Sequence, residues 1–144
     1  MNLLRKAASA VLPLVLAGGA GLVAAGPANA AVSGAGCRNI DPVGAGYRMG
    51  PCSSISGSAQ ITFGTWMQSG NTDVNLYGRV DLVVGNTATP WDCNRGPVHI
   101  YPSSMQYYDL GACNLKPGTY VVETWITNNG QVVGDMQSPR IYVS

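Results

Sequence analysis

From residue 58 onward, apolar and polar positions alternate along short segments that turn-forming residues separate. The clearest example is the segment 73–84. Val74, Leu76 and Val80 share one of its sides, and polar or aromatic residues occupy most of the other. A period of two residues is typical of a strand with one face in the core, and Gly78 inside it is typical of a bulge or a close backbone approach. No helical period of useful length is present, so the pattern predicts an all-β domain.

Further strands are expected at 60–67, 98–101, 105–110, 119–127 and 140–144. Asn129-Gly130 is the strongest local hairpin signal and fits a two-residue type I′ turn. Several short strands with turns between them predict an immunoglobulin-like β-sandwich of about seven antiparallel strands. A small β-barrel is the alternative architecture.

The first thirty residues have the organisation of a secretory signal peptide. Arg5 and Lys6 precede an apolar stretch, and Ala28-Asn29-Ala30 supplies the small-x-small pattern of a cleavage site. A retained membrane anchor is the competing interpretation, which Pro13 and the following glycine cluster disfavour. We therefore expect residues 1–30 to be removed and the mature protein to be secreted and extracellular, without a membrane anchor.

Residues 31–57 are rich in Gly, Ser and Ala and show no sustained period. This composition predicts a loop-rich N-terminal arm that forms one domain with the β-sandwich body at 58–144. Only 10% of the chain is charged and its formal net charge is +1, so it lacks the basic field that nucleic-acid binding requires.

Four cysteines remain after removal of the signal, at positions 37, 52, 93 and 113. An even number in an exported chain indicates two disulfides, for which three connectivities are possible. The local pairs Cys37–Cys52 and Cys93–Cys113 close the shortest loops and are favoured. The C-x-x-C pairs of a zinc site are absent, and the sequence indicates neither a metal nor a cofactor.

The C-x14-C spacing, the size and the two expected bridges resemble the Streptomyces subtilisin inhibitor family in bulk properties. The C-P-M-V-Y-D-P reactive-loop signature of that family does not occur in this chain. No residue role is therefore carried over from the family.

Groups suited to catalysis are few. His99 is the only histidine and lies in an apparent strand, where a solvent-facing side chain is the usual outcome. No G-x-S-x-G nucleophile elbow accompanies it. Glu123 is the only glutamate, and nothing in the sequence pairs it with an aspartate across a cleft. We expect a protein that binds rather than catalyses.

The leading functional hypothesis is a protein-binding or proteinase-inhibitor-like loop at residues 85–97. Prolines and Cys93 would stiffen this connection and lower the entropic cost of binding. Its candidate contact residues are Trp91, Asn94 and Arg95, and Arg95-Gly96 is a candidate reactive-site bond for trypsin-like enzymes. The alternative is that Trp91 packs on the Cys93–Cys113 bridge.

The second hypothesis is a carbohydrate- or cell-wall-binding face on the polar sides of the strands. Its candidate residues are Trp66, Tyr77, Arg79 and Trp125, because aromatic rings stack on sugars and charged groups hydrogen-bond to hydroxyls. The alternative is that these rings cover the sheet beneath the arm. A structural extracellular protein is the third possibility, and polysaccharides or extracellular proteins are the expected partners.

Overall fold

The computed structural model describes residues 31–68, 70–102 and 105–144, so the predicted signal peptide lies outside the described residues. Ten strands and no helix are present in this part of the chain. The strands are β1 (Val32–Ser33), β2 (Asp41–Gly44), β3 (Tyr47–Gly57), β4 (Gln60–Gln68), β5 (Val74–Val84), β6 (Thr87–Ile100), β7 (Gln106–Asn114), β8 (Gly118–Asn128), β9 (Gln131–Gln137) and β10 (Ile141–Val143).

These strands form two antiparallel sheets. The six-stranded sheet has the order β1-β10-β8-β5-β6, with β9 also pairing with β8, and the four-stranded sheet has the order β2-β3-β4-β7. The predicted all-β class is confirmed, and the two sheets are consistent with a sandwich; the immunoglobulin-like topology stays a prediction. The strands are more numerous than the expected seven because the segment 31–57, which the sequence indicates as irregular, contains β1, β2 and β3.

The core lies between the sheets and contains the alternate apolar positions identified in the sequence. Ile61 and Phe63 of the four-stranded sheet and Leu76, Val80 and Ile126 of the six-stranded sheet are fully buried. Because neighbours along a strand point to opposite faces, the aromatic and charged residues between them are directed to the outer faces. The Asn129-Gly130 turn is also as predicted, with positive φ angles of 49° and 77°.

The prediction of a loop-rich arm at 31–57 is wrong, because β3 is an internal strand of the four-stranded sheet. Gly50 and Pro51 resemble strand breakers in the sequence, but each serves a contact with the preceding segment. A Cβ atom on Gly50 would lie 2.9 Å from Ile40 Cγ1, and the Pro51 carbonyl accepts a hydrogen bond from the Arg38 amide at 2.9 Å. The segment before β2 therefore lies beside β3 and is hydrogen-bonded to its backbone.

The expectation of a long loop at 85–97 is also wrong. Gly85 and Asn86 connect β5 to β6, which is fourteen residues long and pairs with β5 from one end to the other. The register shifts on both sides of Gly78, and the extra residues of these bulges lie in β6, between Val98 and Asp92. Since β6 is the edge strand of its sheet, Pro90 and Pro97 are accommodated there without breaking an internal ladder.

The predicted disulfide pairing is confirmed. Cys37–Cys52 attaches the segment before β2 to β3, and Cys93–Cys113 joins β6 of one sheet to β7 of the other. Two disulfides fit an extracellular protein. Within the described residues, no helix is long and apolar enough to cross a membrane.

Candidate binding sites on the two outer faces

Tyr77 and Trp125 form a stacked aromatic pair on the outer face of the six-stranded sheet. They occupy directly opposed positions of β5 and β8, and their ring planes are parallel to within 6° with centroids 5.5 Å apart. Both rings are partly buried. Because the two residues are directly opposed on hydrogen-bonded strands, the positions of their Cβ atoms relative to each other are fixed. The stack then holds the Trp125 ring in a defined orientation.

Arg79 lies beside this stack and connects it to two carboxylates. Its Nε donates to Asp81 Oδ1 at 2.7 Å, an Nη group donates to Glu123 Oε2 at 2.5 Å, and its Cζ lies 5.1 Å from the centroid of the Trp125 ring. The Asp81 side chain is only 2% exposed, and its charge is compensated by the guanidinium. Although burial alone would lower it, the two carboxylates raise the pKa of Arg79, which remains charged.

Glu123 has a raised pKa in spite of its contact with Arg79. Burial is the largest cause, and hydrogen bonding to Asp81 and the negative charges of Asp81 and Asp135 act in the same direction. Arg79 lowers the pKa of Glu123 but is outweighed by these effects. Glu123 therefore retains its proton more readily than an exposed glutamate does.

A cavity of about 310 Å³ opens next to Trp125, and we call it the Trp125 pocket. It is lined by Arg79, Glu123, Trp125, Val132 and Asp135. Asp135 lies opposite Trp125 on β9, whereas Tyr77 lies opposite it on β5. The pocket thus extends from Arg79 on β5 across β8 to Val132 and Asp135 on β9, and Tyr77 stacks on the Trp125 ring without lining the pocket.

Trp66 lies on the other outer face of the molecule. It belongs to β4 of the four-stranded sheet, between Thr65 and Met67, whose side chains are buried. Its neighbour is Tyr107 of β7, with ring centroids 5.3 Å apart and planes inclined by 59°. The structure therefore brings together three of the four candidate sugar-binding residues and places Trp66 on a separate surface.

A second cavity of about 360 Å³ lies beside Trp66, and we call it the Trp66 pocket. Its lining consists of the Cys37–Cys52 disulfide, Ser54, Thr62, Trp66, Tyr107 and Asp109. The pKa of Tyr107 is raised, first by burial and then by the charge of Asp109, so its hydroxyl stays protonated and can donate a hydrogen bond.

Several lining residues of the two pockets are not among the candidates predicted from the sequence, notably Tyr107, Asp109 and Asp135. Tyr107 and Asp109 are two residues apart on one strand and so share a face, which the alternation could have indicated. Which strands are neighbours, and in what register, is set by the whole fold. The sequence alone therefore does not predict that Asp109 lies beside Trp66 or that Asp135 lies beside Trp125.

The candidate protein-binding residues lie on β6 rather than on a free loop. Trp91 is 39% exposed and contacts the buried Tyr120 edge-on at 5.8 Å. Asn94 and Arg95 are exposed, and the guanidinium of Arg95 donates to the Asn94 and Ala112 carbonyls at 3.0 and 2.9 Å. The backbone of Arg95 is in register with Gly78, so both the backbone and the side chain of the candidate reactive-site residue are engaged within the domain.

His99 is exposed, at the far end of β6. Its Nε2 lies 3.3 Å from Asp73 Oδ2, its Nδ1 lies 3.3 Å from Asn75 Oδ1, and its ring contacts Tyr101 edge-on. In the described ranges, no group of three or more His, Cys, Asp or Glu residues is placed to hold a metal ion.

A comparison with models of known protein families finds none that matches this chain. Comparisons with curated proteins and with solved structures likewise find no match. The two pockets therefore carry the functional interpretation.

Proposed function

We propose that this chain is an exported, non-catalytic carbohydrate-binding domain that holds a polysaccharide in the Trp125 pocket. The observation that carries the proposal is the position of the Trp125 ring. Tyr77 stacks against the ring, and the ring lines a cavity together with Arg79, Glu123 and Asp135.

This arrangement has the chemistry that sugar recognition requires. An aromatic ring offers a flat apolar surface for the C–H groups of a pyranose ring. Carboxylates accept hydrogen bonds from sugar hydroxyls, and charge-assisted bonds of this kind are the stronger ones. The cavity of about 310 Å³ is at the lower end of the range for small-ligand sites, which suits a single sugar unit of a longer chain.

The packing around Trp125 supports a preformed site. Its ring is in contact with Tyr77, and the guanidinium beside it is fixed by Asp81 and Glu123. A ring held in this way loses little conformational freedom when a ligand binds, which lowers the entropic cost of association.

The charges of the pocket indicate which polysaccharides it prefers. The single cation among its lining residues, Arg79, is compensated by Asp81 and Glu123, and Asp135 adds a further negative charge. An acidic pocket repels uronic acids and phosphates. We therefore expect selectivity for neutral or amine-bearing polysaccharides over anionic ones.

Two features favour binding over hydrolysis. Glycosidases place two carboxyl groups on opposite sides of the scissile bond. Here Asp81 and Glu123 contact the same guanidinium, and Asp81 is buried beneath it. Asp81 does not line the pocket, and both carboxylates serve to hold Arg79 in place.

The test is retention of the exported, oxidised protein on insoluble chitin, cellulose and peptidoglycan. We expect retention on at least one of them. In a Trp66→Ala background, which removes the pocket on the opposite face, Trp125→Ala should lower the affinity by at least about tenfold, which corresponds to about 1.4 kcal/mol. Tyr101→Ala in the same background is the matched control, because it removes a ring that is 64% exposed and lines neither pocket. Failure of all three polysaccharides to retain the unmodified protein would refute the function, and equal retention with and without Trp125→Ala in that background would refute the site.

A further inference from the structure

We propose that the Trp66 pocket is a second, independent carbohydrate-binding site, so that one domain bridges two polysaccharide strands. The bridging role rests on the function proposed above. It goes beyond that function because it assigns a site and a ligand class to the opposite face of the molecule.

The shape of the Trp66 pocket arises from two rings that meet at an angle. Trp66 and Tyr107 are opposed in register on β4 and β7, and their planes are inclined by 59°. Gly64 makes room for this corner, because a Cβ atom there would lie 2.6 Å from the Tyr107 hydroxyl oxygen. Tyr107 therefore leans across the strand at a position without a side chain, and a concave surface of about 360 Å³ results.

The polar groups around the corner suit a neutral, hydroxyl-rich ligand. Ser54 and Thr62 supply hydroxyl groups, and Asp109 supplies a carboxylate. Asp109 Oδ1 accepts a hydrogen bond from the Gly111 amide at 2.8 Å, which orients the carboxylate. The rings of Trp66 and Tyr107 form an aromatic surface, and the hydroxyl and carboxylate groups form a hydrogen-bonding rim around it. This combination matches the apolar faces and polar edges of a pyranose.

The two pockets are similar in size and share two kinds of lining residue. Each is lined by a tryptophan and at least one carboxylate, and their volumes are about 360 and 310 Å³. Tyr107 also lines the Trp66 pocket, whereas Tyr77 stacks on Trp125 from outside its pocket. Each tryptophan lies in register with its tyrosine on a neighbouring strand of the same sheet. The same ligand chemistry therefore fits both faces.

The pockets open in opposite directions. Trp66 is on the outer face of the four-stranded sheet and Trp125 is on the outer face of the six-stranded sheet, with the core between them. Packed sheets are separated by about 10 Å, and the side chains on the outer faces add to that distance. One sugar unit cannot occupy both pockets, so saturation of the domain requires two ligand segments.

The test counts sites and bridges separately. Calorimetry with chitohexaose and cellohexaose gives the number of binding sites per chain, and the turbidity of beads coated with the bound oligosaccharide reports bridging. Two single variants, Asp109→Asn and Trp66→Ala, are directed at the Trp66 pocket. Two others, Asp135→Asn and Trp125→Ala, are directed at the Trp125 pocket. The asparagine variants are the milder pair, because Asp109→Asn keeps a side-chain oxygen that can accept from the Gly111 amide.

We expect two sites and bead agglutination for the unmodified protein. Each single-pocket variant should bind one equivalent and fail to agglutinate, and the Trp66→Ala/Trp125→Ala double variant should not bind. One site in the unmodified protein, unchanged in Trp66→Ala and lost in Trp125→Ala, would overturn the second site and leave the proposed function intact. One site lost only in Trp66→Ala would overturn both the bridging and the Trp125 pocket. Binding of neither oligosaccharide, together with no retention on the insoluble polymers, would overturn both proposals.

Discussion

Tyr77 and Trp125 stand opposite each other on β5 and β8 with their ring planes within 6° of parallel, and only Trp125 lines the adjoining pocket. Tyr77 is therefore a positioning residue, because it supports the ring that would contact the sugar. This support comes from the aromatic ring of Tyr77 and does not require its hydroxyl group.

A pair of substitutions at Tyr77 tests this relationship. Tyr77→Ala should weaken polysaccharide binding by about threefold to tenfold, since a stacked aromatic pair contributes about 0.5–1.5 kcal/mol. Tyr77→Phe should bind as the unmodified protein does. Affinity measured by calorimetry or by retention isotherms distinguishes the two, and equal binding by all three proteins would contradict the positioning role.

Arg79 is expected to be important for stability because Asp81 is buried beneath it. Arg79→Ala would leave an unpaired buried carboxylate, and breaking a buried pair in this way costs about 3 kcal/mol. Arg38→Ala is the matched control. It breaks the Arg38–Asp41 pair, in which both side chains are about half exposed, and should cost less than about 1 kcal/mol. Chemical denaturation measures the unfolding free energy of both variants. Similar losses in Arg79→Ala and Arg38→Ala would show that the buried pair contributes no more to stability than the exposed one.

Glu123 should make stability depend on pH. Its pKa in the folded chain is raised above the ordinary 4.5, so the folded state binds the proton more tightly than the unfolded state does. The cost of ionising Glu123 is absent below the ordinary value and is fully present above the raised one, so this contribution to stability falls as pH rises through that window.

Glu123→Gln removes this titration. The unfolding free energy of the variant relative to the unmodified protein should therefore shift in the variant's favour as the pH rises from below 4.5 to neutral. Denaturation curves over that pH range provide the measurement. A constant difference would show that Arg79 balances the effects of burial and the neighbouring carboxylates on the pKa of Glu123, and a shift in favour of the unmodified protein would show that it outweighs them.

Thr124 is a site where stability can be gained. Its side chain is buried in the core, and its Oγ1 has no hydrogen-bond partner among the described residues. Thr124→Val keeps the shape and removes the unpaired hydroxyl, so we expect the unfolding free energy to rise by about 1 kcal/mol. Thr65→Val is the comparison, because the equally buried Thr65 hydroxyl donates to the Trp66 carbonyl at 3.2 Å. A loss of stability in Thr124→Val would contradict the interpretation.

The inhibitor hypothesis is open to a direct experiment. The backbone of Arg95 is aligned with Gly78, and its guanidinium is engaged by the Ala112 carbonyl. A trypsin-like enzyme would need to extract this side chain from the domain. We expect the protein to leave trypsin activity unchanged, and inhibition that disappears in Arg95→Ala would restore the hypothesis.

The sequence was informative wherever the signal was local. Alternation around Leu76 predicted the buried face of β5, Asn129-Gly130 predicted a hairpin, and the shortest loops predicted the disulfides. Prediction failed at β3 and β6, where glycine and proline residues serve packing and edge positions that only the assembled sheets reveal. The pockets were predicted in part for the same reason, because their tryptophans are visible in the pattern but their cross-strand neighbours are not.

The bridge between Cys93 and Cys113 has a mechanical consequence for a domain that holds ligands on both faces. Polysaccharide chains that pull on the two pockets in opposite directions would load the interface between the sheets, which is held by apolar packing and by the chain connections that cross between them. Because β6 and β7 belong to different sheets, the disulfide adds a further covalent link between the sheets. Under tension, the polysaccharide would then dissociate from its pocket before the two sheets separate, and the domain would remain folded and able to bind again.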